Sequence, residues 1–322
     1  MEQVTLKHTD LTVSRAVLGT MTFGGQADEA LSNRILDTAL DSGINFVDTA
    51  NSYNKGLSEE ILGRALKGRR HRVILATKVF NRMGENPEDR GLSKKAIFRA
   101  MENSLRRLRT DYTDLYYLHQ PDWTVPLEES LEAMDELVRQ GKVRYPASSN
   151  YAAWQVARMQ SLAATRGYRP AVITQPMYNL LARGIEQEYL AMAREYGIST
   201  VVYNPLAGGL LTGKHKRDSF TPGTRFDNNR MYQDRYWHDS MFDAVEALEK
   251  TAAREGRSII SLALNWLFRH TPADCVILGA TSVEQLAANL KALDDGPLSA
   301  DALHAAGLVW DTLRGPTPQY NR

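Results

Sequence analysis

Four polar side chains in the first 120 residues have types and spacing suited to proton transfer. Asp48 follows the apolar run Asn45-Phe46-Val47, and Tyr53 comes five residues later. Lys78 follows Val73-Ile74-Leu75-Ala76-Thr77, and His119 follows Leu115-Tyr116-Tyr117-Leu118. Reducing a carbonyl group requires a hydride on carbon and a proton on oxygen. A phenol has a reference pKa of ~10, high for a donor at neutral pH. A nearby ammonium favours the phenolate and lowers that value. Lys78 is the ammonium expected to do this, with Asp48 holding it charged and in place. His119 would polarise and orient the carbonyl oxygen. Tyr53 would then be the general acid of reduction and the base of the reverse reaction. Taken singly, each residue has a plainer reading: Asp48 as a cap, Tyr53 as a loop aromatic, Lys78 as a surface charge, His119 as a structural histidine bonded to backbone. What distinguishes the four is their joint position around the ends of successive apolar runs.

Those runs belong to an alternation that covers the chain. Val4 to Val13 reads as a short hairpin lid. Short β-rich runs follow at Ala16–Leu18, Asn45–Val47, Val73–Ala76, Asp114–Leu118, Lys142–Ala147, Val172–Thr174, Thr200–Tyr203 and Val276–Leu278. Between them the apolar spacing is helical at 28–41, 58–66, 94–107, 127–139, 151–163, 186–195, 240–268 (read as two helices) and 283–292. Ser93 reads as a helix start, and Gly43, Gly141 and Gly197 stand where helix C-caps belong. Strands separated by helices are parallel strands. An open doubly wound sheet and a closed barrel both satisfy this pattern. The open sheet predicts a G-x-G-x-x-G fingerprint after its first strand, but the sequence there is Gly19-Thr20-Met21-Thr22-Phe23-Gly24-Gly25. The expected fold is therefore a (β/α)₈ TIM barrel spanning 1–322 as one domain, with an N-terminal β-hairpin. A long loop from Asn204 to Asp239 follows strand 7, and a C-terminal extension follows Ser299. In such a barrel the strand ends gather at one mouth, which is where the four polar residues would meet.

Composition narrows the function classes. Of 322 residues 43% are hydrophobic, enough for a large core, and the net charge is +1 with both signs interspersed. The longest basic cluster, Lys67 to Arg72, reads as a solvated helix end. Neither nucleic acid nor an anionic membrane is an expected partner. No apolar run approaches the ~20 residues of a transmembrane helix, and Met1 to Asp10 has no signal-peptide core. With one cysteine, Cys275, no intrachain disulfide can form, which suits a reducing, cytoplasmic setting. The apolar neighbours of Cys275 make it a small core residue. The seven histidines lack paired ligand spacing, so no metal site is expected.

The stretches Asn45-Phe46-Val47-Asp48-Thr49-Ala50 with Tyr53, Ala76-Thr77-Lys78 and Asp114-Leu115-Tyr116-Tyr117-Leu118-His119 resemble the aldo-keto reductase superfamily, in its order and near its spacing. A finer resemblance is to the aflatoxin-aldehyde and succinic-semialdehyde reductase branch. It rests on Ser149-Asn150-Tyr151-Ala152-Ala153-Trp154, on the long run from Tyr203 to Lys214, and on the ending Pro318-Gln319-Tyr320-Asn321-Arg322. The resemblance implies the catalytic roles already reasoned for Asp48, Tyr53, Lys78 and His119. It also implies a dinucleotide lying extended across the mouth, NADPH in preference to NADH. Ser149, Asn150 and Gln175 would bond the carboxamide, and Tyr203 would stack on the nicotinamide. Asn204, Pro205, Leu206, Gly208, Gly209 and Lys214 would wrap the pyrophosphate, since small residues admit oxyanions and Lys214 adds charge.

Ala280, Thr281, Ser282, Gln285 and Asn289 would hold the adenosine end. Thr281 and Ser282 are placed to cap the last barrel helix, and Gln285 and Asn289 lie four apart on one of its faces. Arg225 is the expected contact for a 2′-phosphate. Met21 is expected beside both cofactor and substrate. Phe80 and Trp123 are expected to line an apolar substrate pocket, and Arg322 to meet an anionic substrate group. The substrate would be a small aldehyde or ketone, and dimers are common in this branch. Pro146 stands where relatives place a residue with an N–H, so strand pairing there must do without one.

Three other readings compete. Gly208 to Lys214 has the glycine and lysine spacing of a P-loop, but His215 follows where a magnesium-binding Ser or Thr belongs. A metal hydrolase lacks its ligands. A non-catalytic or slow nicotinamide-binding protein, like the regulatory subunits of channels in this superfamily, stays open, because sequence alone does not report turnover.

Overall fold

The computed structural model describes residues 1–220, 222–317 and 321. A hairpin of β1 (Gln3–Thr5) and β2 (Thr12–Ser14) comes first. Eight parallel strands then close into a barrel in chain order: β3 (Ala16–Gly19), β4 (Phe46–Asp48), β5 (Ile74–Val79), β6 (Thr113–Leu118), β7 (Val143–Ser149), β8 (Ile173–Gln175), β9 (Ser199–Val202) and β10 (Cys275–Gly279). β10 pairs back onto β3, so the sheet has no free edge. The eight expected strands are all present, with no end shifted by more than three residues.

The crossover helices are α1 (Glu29–Asp41), α2 (Leu57–Ala65), α3 (Lys94–Leu108), α4 (Leu127–Arg139), α5 (Ala153–Arg166) and α6 (Tyr189–Glu195). α7 (Arg230–Tyr236), α8 (Asp239–Arg254), α9 (Ile259–His270), α10 (Val283–Ala292) and α11 (Ala300–Arg314) complete the chain. The sequence explains their ends. Ser93 caps α3 by accepting from the Ala96 N–H. Ile97, Met101, Leu105 and Leu108 then fall on one buried face, at the helical spacing. Gly43, Gly141 and Gly197 each follow a helix in a left-handed conformation, which a Cβ would disfavour. The span 240–268 is two helices, α8 and α9, and Ser258 caps the second. The long loop after β9 is less irregular than its length implied: it holds the 3₁₀ segment Ala207–Thr212 and α7. The C-terminal extension is a helix, α11, packed on α8.

Alternation along the strands sorts the side chains into two sets. Val17, Phe46, Ala76, Leu115, Ala147, Ile173, Val201 and Cys275, one from each strand, form a buried cluster inside the barrel. Their neighbours Leu18, Val47, Leu75 and Val276 face the helices instead. Burial pushes the Cys275 thiol up and keeps it unreactive. The hairpin closes the end of the barrel where the strands begin. Leu6, Leu11 and Val13 join the interior cluster, and the Lys7 N–H donates to Ser199 Oγ at 2.8 Å. Pro146 sits within β7 opposite Tyr116. Its carbonyl accepts from Val172, so the ladder loses only the donor that proline lacks.

Candidate active site

Two residues beyond each interior residue, a side chain points the same way, one layer higher. From Phe46, Ala76, Tyr117, Ala147, Ile173 and Val201, that step reaches Asp48, Lys78, His119, Ser149, Gln175 and Tyr203. From Val17 and Ile277 it reaches Gly19 and Gly279. The upper layer is thus polar on six strands and bare on two adjacent ones. A cleft of about 450 Å³ opens directly above it.

At its floor, Lys78 and Asp48 form an ion pair with 0% and 2% of their side chains exposed. Lys78 Nζ also donates to the Thr49 carbonyl at 2.8 Å and to the Tyr53 hydroxyl at 3.3 Å. Asp48 accepts from Gln175 Nε2 at 2.9 Å through its other oxygen. Burial alone would lower the Lys78 pKa, but Asp48 and Tyr53 outweigh it and the net direction is upward. Tyr53 goes the other way from expectation: its pKa is raised. Burial is the main cause, Lys78 opposes it, and Asp48 adds to it. The expectation of a lowered phenol fails because burial outweighs the pull of the ammonium, and Asp48 offsets part of that pull. The phenol therefore holds its proton throughout the neutral range.

Tyr53 starts a tight turn in which Asn54 (φ 48°) and Lys55 (φ 57°) are both left-handed, followed by Gly56 at φ 93°. Two such non-glycine residues in a row are strained. Asn54 offsets this by donating to the Met21 and Phe23 carbonyls at 3.0 and 2.7 Å. His119 lies edge-on to Tyr53, ring centroids 6.2 Å apart. Burial, with Lys78 adding to it, pulls its pKa down to about 3, so the imidazole is neutral.

Further along the cleft, backbone conformation dominates. Asn150 (φ 61°), Asn204 (φ 65°) and Ala207 (φ 49°) are left-handed, as are Gly208 and Gly209. A Cβ on Gly208 would lie 2.9 Å from the Tyr232 ring. Asn204 ties this loop down, accepting from the Gly208 N–H at 2.7 Å and donating to Tyr236. The segment has 3₁₀ and kinked geometry with no helix following it, unlike a P-loop. Arg225 lies over the Tyr232 ring at 5.3 Å and points toward the bare backbone of Gly279. Gln26 donates to the Gly223 carbonyl at 2.8 Å, joining the loop after β3 to the loop after β9.

Most of the residues expected at the site line this cleft: Met21, Asp48, Tyr53 and His119; Ser149, Asn150, Gln175 and Tyr203; Asn204, Pro205, Leu206, Gly208, Gly209 and Lys214; and Arg225, Ala280, Thr281, Gln285 and Asn289. Lys78 is sealed beneath Tyr53. Two expected substrate contacts are not brought in. β5 ends at Val79, so alternation no longer governs Phe80, which packs toward the α3 side and lines a separate small cavity. Trp123 lies on the loop after β6, 78% exposed, against Trp154. Of the two expected caps of α10, only Ser282 caps, and it does not line the cleft. Thr281 instead donates to Gln285 Oε1 through both its N–H and its hydroxyl. Arg322 lies outside the described residues, as does most of the terminal stretch matched to the branch. Among the described residues no cluster of metal-ligating side chains is found, and no helix is long and apolar enough to cross a membrane.

The cleft also contains residues that were not expected at the site: Asn81, Tyr232, Arg235 and His215, the last read from sequence only as the break in a P-loop pattern. Asn81 carried a usable signal, standing just past a strand end. Arg235 carried none, because its place depends on how α7 folds over the mouth. His215 is buried with neither ring nitrogen bonded among the described residues, and burial pulls its pKa to about 4.

A closed parallel barrel with a long cleft over its strand ends, a buried ion pair at the floor and glycine-bared backbone along the side defines a class, the (β/α)₈ barrels with a ligand cleft at the mouth. Residues 15–306 match the Aldo/keto reductase family, and the chain belongs to it. It is 37% identical to aflatoxin B1 aldehyde reductase member 2 of Rattus norvegicus, over 95% of this chain and 87% of that one. It is 38% identical to an uncharacterized oxidoreductase of Bacillus subtilis over 99% of both. It is 35% identical to a probable voltage-gated potassium channel subunit beta of Oryza sativa, over 92% and 93%.

Proposed function

We propose that the protein reduces small aldehydes or ketones to alcohols with NADPH. The observation that carries this is the Tyr53 hydroxyl within 3.3 Å of Lys78 Nζ at the floor of the cleft, with Asp48 on the same ammonium. A nicotinamide dinucleotide fits the residues present. The left-handed Gly208 and Gly209 and the uncovered Gly279 let backbone approach phosphate oxygens, and Lys214 and Arg225 supply positive charge beside them. Tyr203 would face the nicotinamide, with Ser149, Asn150 and Gln175 at its carboxamide. Gln285 and Asn289 would meet the adenosine, and Arg225 a 2′-phosphate.

When bound, the reduced nicotinamide supplies the hydride that the carbonyl carbon receives. Tyr53 delivers the proton to the oxygen. Its raised pKa keeps it loaded as an acid, and Lys78 stabilises the phenolate as the proton leaves. His119, neutral and beside Tyr53, orients the oxygen. Asp48 keeps Lys78 charged in a place where burial opposes charge. Met21 forms part of the wall beside the reacting carbon.

The likeness to a protein named as a channel subunit supports a second reading, a nicotinamide-binding protein with little or no turnover. A screen of NADPH consumption over aliphatic, aromatic, dicarbonyl and carboxylated aldehydes separates the two. Turnover that is lost in Tyr53→Phe is the expected result. NADPH binding without turnover of any of these would refute the enzymatic reading.

A further inference from the structure

Asn81 stands three residues past Lys78, just beyond the end of β5, and lines the cleft beside His119. Its Nδ2 is 3.1 Å from Ser52 Oγ and 3.5 Å from His119 Nδ1. An amide nitrogen carries two protons and only donates. With one proton on Ser52 and the other on the imidazole, Nδ1 is the accepting ring nitrogen. We propose that Asn81 is a positioning residue that holds His119 as its Nε2–H tautomer, so that the ring offers a carbonyl oxygen a proton rather than a lone pair.

The surroundings of His119 make this choice matter. A charged imidazole would donate from both nitrogens whatever its neighbours. Here burial and the Lys78 ammonium hold it neutral, so one nitrogen donates and the other accepts. The backbone fixes the ring's position but not its tautomer: the His119 N–H donates to Val79, and its carbonyl accepts from Asn150. Nε2 has no partner among the described residues and is not among the buried unbonded atoms, so it is open to the cleft. The charged and titratable groups facing the ring are Lys78 from β5, Tyr53 from the turn after β4, and Asp48 behind Lys78. None of them accepts from Nδ1. The 3.5 Å separation is long, as contacts in ligand-free sites often are before substrate tightens them.

This inference rests on the carbonyl-reducing reading for its purpose, but its test does not. Nitrogen-15 spectra of the ligand-free protein report which ring nitrogen carries the proton. The expected result is Nε2–H for His119 in the wild type and a mixture of tautomers in Asn81→Ala. In that variant the turnover number for aldehyde reduction should fall about tenfold, with NADPH affinity within about twofold. Asn81→Asp supplies an acceptor instead of a donor and should move the proton to Nδ1. Its turnover should fall about 100-fold at pH ~8 and partly recover as acid protonates both nitrogens. The wild type should show no such gain on the acid side. A wild-type Nδ1–H tautomer would overturn the inference, as would an Asn81→Asp loss of equal size at every pH. If the wild type reduces no carbonyl compound, the functional reading fails while the spectra still decide the tautomer.

Discussion

Replacing Asp48 with Asn removes half of the ion pair on which the floor of the site is built. Both partners are buried, at 0% and 2% exposure, so Lys78 would be left as an uncompensated interior charge. Breaking such a pair by removing one partner costs about 3–5 kcal/mol. The new amide oxygen can still accept from Lys78, which favours the lower end of that range. Its NH₂ group, however, would face Gln175 Nε2, a donor against a donor where Asp48 now accepts at 2.9 Å, adding about 1 kcal/mol. The total is about 4 kcal/mol, or a melting temperature about 8 °C lower at ~2 °C per kcal/mol for a chain of this size.

The dependence on pH distinguishes this cause from a general loss of packing. In the wild type the folded-state pKa of Lys78 is raised. That contribution is fully present below the unfolded value of ~10.4 and is lost only as pH rises through the folded value. Without the Asp48 charge, burial dominates and the folded value falls below the unfolded one. Between those two values the unfolded variant binds more protons than the folded, so its stability rises with pH. The deficit against wild type should therefore be largest near pH ~7 and shrink toward pH ~10. Denaturant melts followed by circular dichroism across that range read it directly. A deficit under about 1 kcal/mol, or one unchanged with pH, would refute the view that a buried ammonium is what the mutation strands.

Three further outcomes are expected. Tyr53→Phe should keep NADPH binding within about twofold while cutting carbonyl reduction by ~10²–10⁴-fold, and the wild-type minus variant ultraviolet difference should show a phenol ionising only above pH ~10. Near-wild-type turnover, or ionisation at neutral pH, would contradict the reasoning. Gly208→Ala, at φ 71° and with its Cβ 2.9 Å from Tyr232, should cost about 1–3 kcal/mol and weaken NADPH binding at least tenfold. Gly223→Ala, at the same φ but in open space, should cost less and serves as the comparison in thermal melts and fluorescence titration. Arg225→Ala should weaken NADPH more than NADH, and equal losses by fluorescence titration would remove the 2′-phosphate contact.

The sequence by itself determined the barrel and most of its mouth. Eight short apolar runs alternating with helical stretches leave few ways to pair parallel strands, and the missing glycine fingerprint argued against the open sheet. Asp48, Lys78 and His119 were legible because each lies two residues beyond an interior residue, and alternation carries an inward side chain up to the next layer. That rule stops where the strand stops. Phe80 follows the last residue of β5 and turns toward the α3 side, and Trp123, on a loop, stays at the outer rim. The roles of Thr281 and Asn81 depend on hydrogen-bond partners several residues to tens of residues away, which spacing does not encode. The direction of the Tyr53 pKa was also decided by tertiary structure. Types and spacing brought an ammonium to a phenol. How far each group is withdrawn from water, and whether a carboxylate cancels the ammonium's field, depends on distances set only when the barrel closes.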